Sequence, residues 1–101
     1  MRFLFHPAAL AEYEESLQYY RDLDPSLAER FVAAIEHTIE RIVEMPERWR
    51  LVEADVRRGL THVFPYGILY TVESDYILVL AVMHCSREPG YWHSRRPKTG
   101  P

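Results

Sequence analysis

The spacing of the apolar residues changes at Pro46, and that change dictates a fold of two unlike layers. Before it, Leu10, Tyr13, Leu17 and Tyr20 recur at three- and four-residue steps while Glu12, Glu15 and Gln18 fall on the other side, the pattern of an amphipathic helix. Pro7 precedes this stretch, where a helix tolerates proline because the first-turn N–H groups have no partner within the helix. Asp24-Pro25 then closes one helix and opens another, with Asp24 as a cap and Pro25 at the first helical position. Phe31, Ile35, Thr38, Ile39 and Ile42 form the second stripe. Two helices joined this tightly make an antiparallel hairpin.

After Pro46 the pattern is that of strands. Residues 47–53 read as a connector, Val56 to Phe64 as extended chain, and Tyr66 to Glu73 as a strand rich in β-branched and aromatic residues. Ser74-Asp75 supplies a two-residue turn. The nearly unbroken apolar run from Tyr76 to His84 requires a central strand covered on at least one face. Phe3-Leu4-Phe5 adds a short opening strand, on a side of the sheet that the pattern leaves open. The expected fold is therefore α+β: an N-terminal strand and an antiparallel helical hairpin packed on an antiparallel sheet built around a three-strand meander. With 101 residues the chain has material for one core, taken as a domain over 1–94 with a polar, fraying tail over 95–101.

The longest apolar run is too short to span a bilayer, Met1 to Pro7 carries no export signal, and the single cysteine has no partner for an internal disulfide. A cytoplasmic protein without membrane association is expected. Residues 1–53 hold six Lys and Arg against eleven Asp and Glu, whereas residues 54–101 hold six against four. Any contact with nucleic acid would have to be local, because no basic stripe runs along the chain. No Gly-rich phosphate loop is present, and His62, His84, Cys85 and His93 lack the spacing of a zinc site, so neither cofactor nor metal is expected.

Two motifs close the chain: Phe64-Pro65-Tyr66-Gly67-Ile68-Leu69-Tyr70, and then His84-Cys85-Ser86-Arg87-Glu88-Pro89-Gly90-Tyr91-Trp92-His93-Ser94-Arg95. With Arg58 ahead of them and the helical hairpin before that, this sequence resembles the RelE/ParE toxin superfamily, closer to its ParE-type branch. The resemblance implies the toxin of a type II toxin–antitoxin pair, held inactive by a cognate antitoxin. Members of the superfamily act in two ways. ParE-like toxins inhibit DNA gyrase, and RelE-like toxins cut messenger RNA on the ribosome; a degenerate homologue would do neither.

For a gyrase inhibitor, the residues expected to meet the target are Arg58, Arg87, Tyr91 and Arg95. A metal-independent ribonuclease would need a base for the 2′-hydroxyl, an acid for the leaving oxygen and positive charge for the phosphorane. Arg58, His62, His84 and Tyr91 are the candidates for that chemistry. Gly67 stands where the RelE-type pattern has an arginine, which favours inhibition by binding. Against these roles, His84 at a strand end is an ordinary site for a hydrogen-bonded structural histidine, Arg87 and Arg95 suit bracing of the C-terminal segment, and Tyr91 and Trp92 suit anchoring it. The run Glu12-Glu14-Glu15 reads as a solvated face. A disordered antitoxin tail could add to the acidic hairpin side or to the sheet edge, and would then carry Lys or Arg.

Overall fold

The computed structural model describes residues 1–96. Strand β1 (Arg2–Phe5) leads into helix α1 (Pro7–Leu23) and helix α2 (Pro25–Glu44), followed by β2 (Arg50–Glu53), β3 (Val56–Leu60), β4 (Tyr66–Val72), β5 (Tyr76–His84) and a short 3-10 helix (His93–Arg95). Both long helices begin as their sequences dictate. Pro7 and Pro25 occupy the first turns, the His6 ring accepts from the Ala8 N–H, and the Asp24 carboxylate accepts from the Ser26 N–H. The second stripe is buried as expected, with Phe31, Ile35, Thr38, Ile39 and Ile42 facing inward. In α1 Tyr13, Leu17 and Tyr20 of the expected stripe pack against the core, Leu10 remains 44% exposed, and Ala9 is fully buried. The small side chain lets the helix lie close to the sheet.

The sheet has five strands in the order β1-β5-β4-β3-β2. β2 to β5 form an antiparallel meander, and β1 joins the outer edge of β5 in parallel, so the sheet is mixed rather than wholly antiparallel. Part of the expected connector is thus a strand. β2 is an edge strand with all four residues exposed, which removes the apolar alternation that would have marked it. The expected extended run to Phe64 stops at Leu60, and residues 61–65 form a loop. There the Phe64 N–H donates to the His62 carbonyl at 2.9 Å, a three-residue γ-turn that holds Val63 at φ +74°.

Each face of the sheet has its own core. On the helical side Tyr66, Ile68, Tyr70, Ile77, Val79 and Val82 pack against α1 and α2. On the opposite side Val56, Leu69, Leu80 and Ala81 are covered by Trp92, which the C-terminal segment lays across them. β4 is consequently buried on both faces, which explains why Ile68, Leu69 and Tyr70 follow one another without a polar residue between them. The expectation of a tail fraying from residue 95 is corrected at its start: Arg95 ends the short helix, and both Arg95 and Arg96 are paired with carboxylates. The rest of that tail, 97–101, lies outside the described residues.

Candidate functional site

The cleft on the helix-free face is built by register. Arg58 pairs across the strands with Leu69, whose side chain belongs to the far core, so Arg58 also points away from the helices. Gly67 lies on the same face, and the Arg58 stem occupies the space a side chain there would fill: a Cβ on Gly67 would sit 3.1 Å from Arg58 Cδ. After β5 the chain turns back, placing Cys85, Arg87 and Pro89 opposite β3, with Trp92 as floor. The result is a cleft of about 230 Å³ lined by Arg58, Arg87, Met83, Cys85 and Trp92, with Glu53 at its margin. Gly90 has φ +79°, and His93 packs so close to it that a Cβ would meet the ring at 2.5 Å. The His93 Nε2 lies 2.6 Å from Glu53 Oε2, tying the segment to β2.

Among the described residues, neither Arg58 nor Arg87 forms an ion pair or a side-chain hydrogen bond. Arg87 instead lies over the Tyr91 ring, its guanidinium 3.9 Å from the ring centre, and Arg95 approaches the same ring at 4.9 Å. Two unneutralised guanidiniums in a half-enclosed cleft suit a carboxylate or phosphate, because desolvation strengthens the charge-assisted hydrogen bonds each offers.

Tyr91 and Arg95 are engaged elsewhere. β1 ends beside Val79, where the His6 N–H donates to the Val79 carbonyl at 2.8 Å, so among the described residues the outer edge of β5 continues without a neighbouring strand. Glu12 of α1 reaches this edge and accepts from the Val82 N–H at 3.1 Å. Its carboxylate also accepts the Tyr91 hydroxyl at 2.5 Å and both terminal nitrogens of Arg95, at 2.7 and 3.3 Å. Arg95 in turn donates to the Leu80 carbonyl at 3.1 Å. The exposed strand edge is thereby satisfied by an ion pair, with the Glu12 and Arg95 side chains only 15% and 14% exposed. Burial first, and then the Glu12 hydrogen bond, push the Tyr91 hydroxyl above its ordinary value of 10.0. The reading of Glu12 as part of a solvated face is corrected: the carboxylate is the centre of the network.

The candidate nuclease residues are not gathered. His84 pairs with Tyr66 and stacks edge-on against its ring at 5.2 Å, on the helical side of the sheet and away from Arg58. Its Nδ1 accepts from the Ser86 N–H at 3.1 Å, which assigns the proton of the neutral ring to Nε2. His62 is exposed in the strained loop. Among the described residues no group of three or more His, Cys, Asp or Glu is placed to hold a metal ion, and no helix is long and apolar enough to cross a membrane.

A second surface lies along β1, whose outer edge has no neighbouring strand among the described residues. Between it and α2 runs a groove of about 240 Å³ lined by Phe3, Phe5, Tyr13 and Ile39, with Glu36 and Glu40 beside them. It continues past Met1 and Val43 towards Glu44. Sequence reasoning identified the acidic hairpin but not this line of glutamates, which i, i+4 spacing places on one face of α2.

Three comparisons bear on what the chain is. The solved structure described as the chromosomal ParDE TA system from P. aeruginosa shares the fold, with a TM-score of 0.72 at 17% identity, covering 83% of this chain and 95% of that one. Toxin RelE2 of Caulobacter vibrioides is 30% identical over 79 residues, which span 78% of this chain and 89% of the relative. The family profile described as "ParE toxin of type II toxin-antitoxin system, parDE" matches residues 3–89, from the first strand through the lip of the cleft. By that match the chain belongs to the ParE toxin family of type II toxin–antitoxin systems.

Proposed function

We propose that the chain inhibits DNA gyrase by binding, through the cleft that holds Arg58 and Arg87, and that a cognate antitoxin neutralises it. The supporting observation is the division of the chemically active groups between the two faces of the sheet. Cleavage through a 2′-hydroxyl needs base, acid and positive charge around one phosphate. Here the charge is on one face and His84 on the other, with the His84 Nδ1 lone pair occupied by the Ser86 N–H. The Tyr91 hydroxyl is committed to Glu12, and Gly67 offers no side chain at all. The cleft holds two guanidiniums among Leu69, Met83 and Trp92, its Glu53 carboxylate is engaged by His93, and Leu60 is exposed on β3. Arginine set among apolar contacts is the composition of a protein-binding hot spot. A target segment carrying a carboxylate fits it. For the antitoxin, the groove between β1 and α2 offers a free strand edge, apolar walls and a line of glutamates, which suits a segment bearing Lys or Arg.

The test is supercoiling by purified gyrase in the presence of the purified toxin, beside induced expression in bacteria with transcripts followed in the same culture. Inhibition that weakens at least fivefold in Arg58→Ala and in Arg87→Ala, with transcripts intact, is the expected result. In-frame transcript cuts abolished by His84→Ala would establish the RelE-type activity instead. A folded protein that produces no growth arrest without antitoxin would identify a degenerate homologue.

A further inference from the structure

We propose that Glu12 is the positioning residue of the cleft: from α1, its carboxylate holds the C-terminal segment through Tyr91 and Arg95 and thereby fixes the Arg87 guanidinium in the cleft it shares with Arg58. The inference rests on the reading of that cleft as the target site. Glu12 itself lines no part of the cleft. Its connection runs through one ring, whose hydroxyl is 2.5 Å from Glu12 Oε2 and over which the Arg87 guanidinium lies at 3.9 Å. Arg87 has no other side-chain anchor among the described residues, and a long side chain without one samples many rotamers. A guanidinium held in place loses less freedom when a ligand arrives, so pre-organisation by Glu12 raises affinity without any contact between Glu12 and the target.

The geometry also accounts for the residue type. Four hydrogen bonds converge on the carboxylate, from the Val82 N–H, the Tyr91 hydroxyl and both terminal nitrogens of Arg95. Only an ionised carboxylate accepts that many with two of them from one guanidinium. Glutamine would present a single oxygen to these donors and turn its NH2 group on the others.

Cys85 gives a measurement that does not depend on the target. It is the single cysteine of the chain, it is exposed, and it lines the cleft beside both arginines. Its reaction rate with dithionitrobenzoate, an anionic disulfide, divided by its rate with neutral dithiodipyridine reports the local positive charge and cancels changes in exposure. At low salt, Arg87→Ala is expected to lower this ratio roughly threefold, the scale of one charge a few ångströms away in water. Glu12→Ala and Tyr91→Phe, which free the guanidinium without removing it, are expected to lower the ratio part of the way, and the Glu12→Ala/Arg87→Ala pair no lower than Arg87→Ala alone. The direction is diagnostic, since removing the Glu12 negative charge would by itself raise the ratio. Tyr91→Phe keeps the ring and the net charge, so it carries the test if Glu12→Ala fails to fold. A wild-type ratio in folded Tyr91→Phe or Glu12→Ala, a further fall in the double variant, or no effect of Arg87→Ala would overturn the proposal. Growth arrest measured on the same variants separates the two readings. If arrest persists in Arg58→Ala and Arg87→Ala while the ratios behave as expected, Glu12 positions Arg87 but the cleft is not the target site.

Discussion

Gly67→Ala separates the cleft from the stability of the fold. A Cβ at this position would lie 3.1 and 3.2 Å from Arg58 Cδ and Cγ and 3.7 Å from Leu60 Cδ2. Ordinary carbon–carbon contact is about 3.5–4.0 Å, so the Arg58 stem must retreat by roughly half an ångström, and its guanidinium, farther along the chain, by more. The stem can give because its torsions are free and the atoms it meets are not backbone. Gly67 does not have a positive φ, so alanine can adopt its conformation. Loss of the unfolded-state freedom of glycine stabilises by about 0.4–1 kcal/mol, and this offsets the cost of moving the stem. Net stability should therefore stay within about 1 kcal/mol of wild type, a shift in Tm of no more than ~8 °C. Gyrase inhibition should fall at least fivefold, the consequence of displacing one arginine of a hot spot. Urea unfolding followed by tryptophan fluorescence and a supercoiling titration measure the two quantities on one preparation. A loss of stability of about 3 kcal/mol would mean that β4 has no room for a Cβ, and the register argument would fail. Unchanged inhibition by a folded variant would mean that the position of Arg58 does not matter.

Removal of Glu12 and of Arg95 should be unequal. Glu12→Ala strands a mostly buried guanidinium, the Val82 N–H and the Tyr91 hydroxyl, at a cost of about 3 kcal/mol, whereas Arg95→Ala leaves the carboxylate with two donors and costs about 1–2 kcal/mol. Chemical denaturation of the two variants checks the order, and equal losses would contradict the network. Burial pushes Tyr20 and Tyr70 up to about 12. Above pH ~10 the unfolded chain releases these protons and the native chain does not, so stability should be full below pH ~10 and decline towards pH ~12, with the larger part from the fully buried Tyr70 and a smaller part from the partly exposed Tyr20. Denaturation across that range tests this, and a flat profile would refute it. Val63 is 82% exposed and held at φ +74°, so Val63→Asn should release strain without losing packing and raise Tm by about 4–8 °C in a calorimetric scan.

The helices and the last strand could be read from the sequence because their signals are local. Pro7, Asp24 and Pro25 mark helix starts within a few residues of the atoms they affect, and Tyr76 to His84 is the strand that its apolar run describes. β2 was hidden because an exposed edge strand has no core to set its alternation. The place of β1 was hidden because its partner lies across the whole hairpin and meander. The site divided in the same way. The residue types of Arg58 and Arg87 suggested binding, but only strand register puts Arg58 and His84 on opposite faces, and only the turn after β5 brings Arg87 to the side of Arg58. The role of Glu12 was invisible in a run of acids, since its four hydrogen bonds come from residues 70 to 83 positions away.

That separation has a consequence for synthesis. The hairpin needs only neighbouring residues and can form early, as the chain emerges at roughly 5–20 residues per second. The clasp between Glu12 and Arg95 closes across 83 positions and waits until Arg95 has been made. A growing chain therefore displays the acidic groove between helix and first strand only once β5 is made, and its arginine cleft later still. A fragment that ends before Tyr91 lacks the ring over which the Arg87 guanidinium lies in the complete fold.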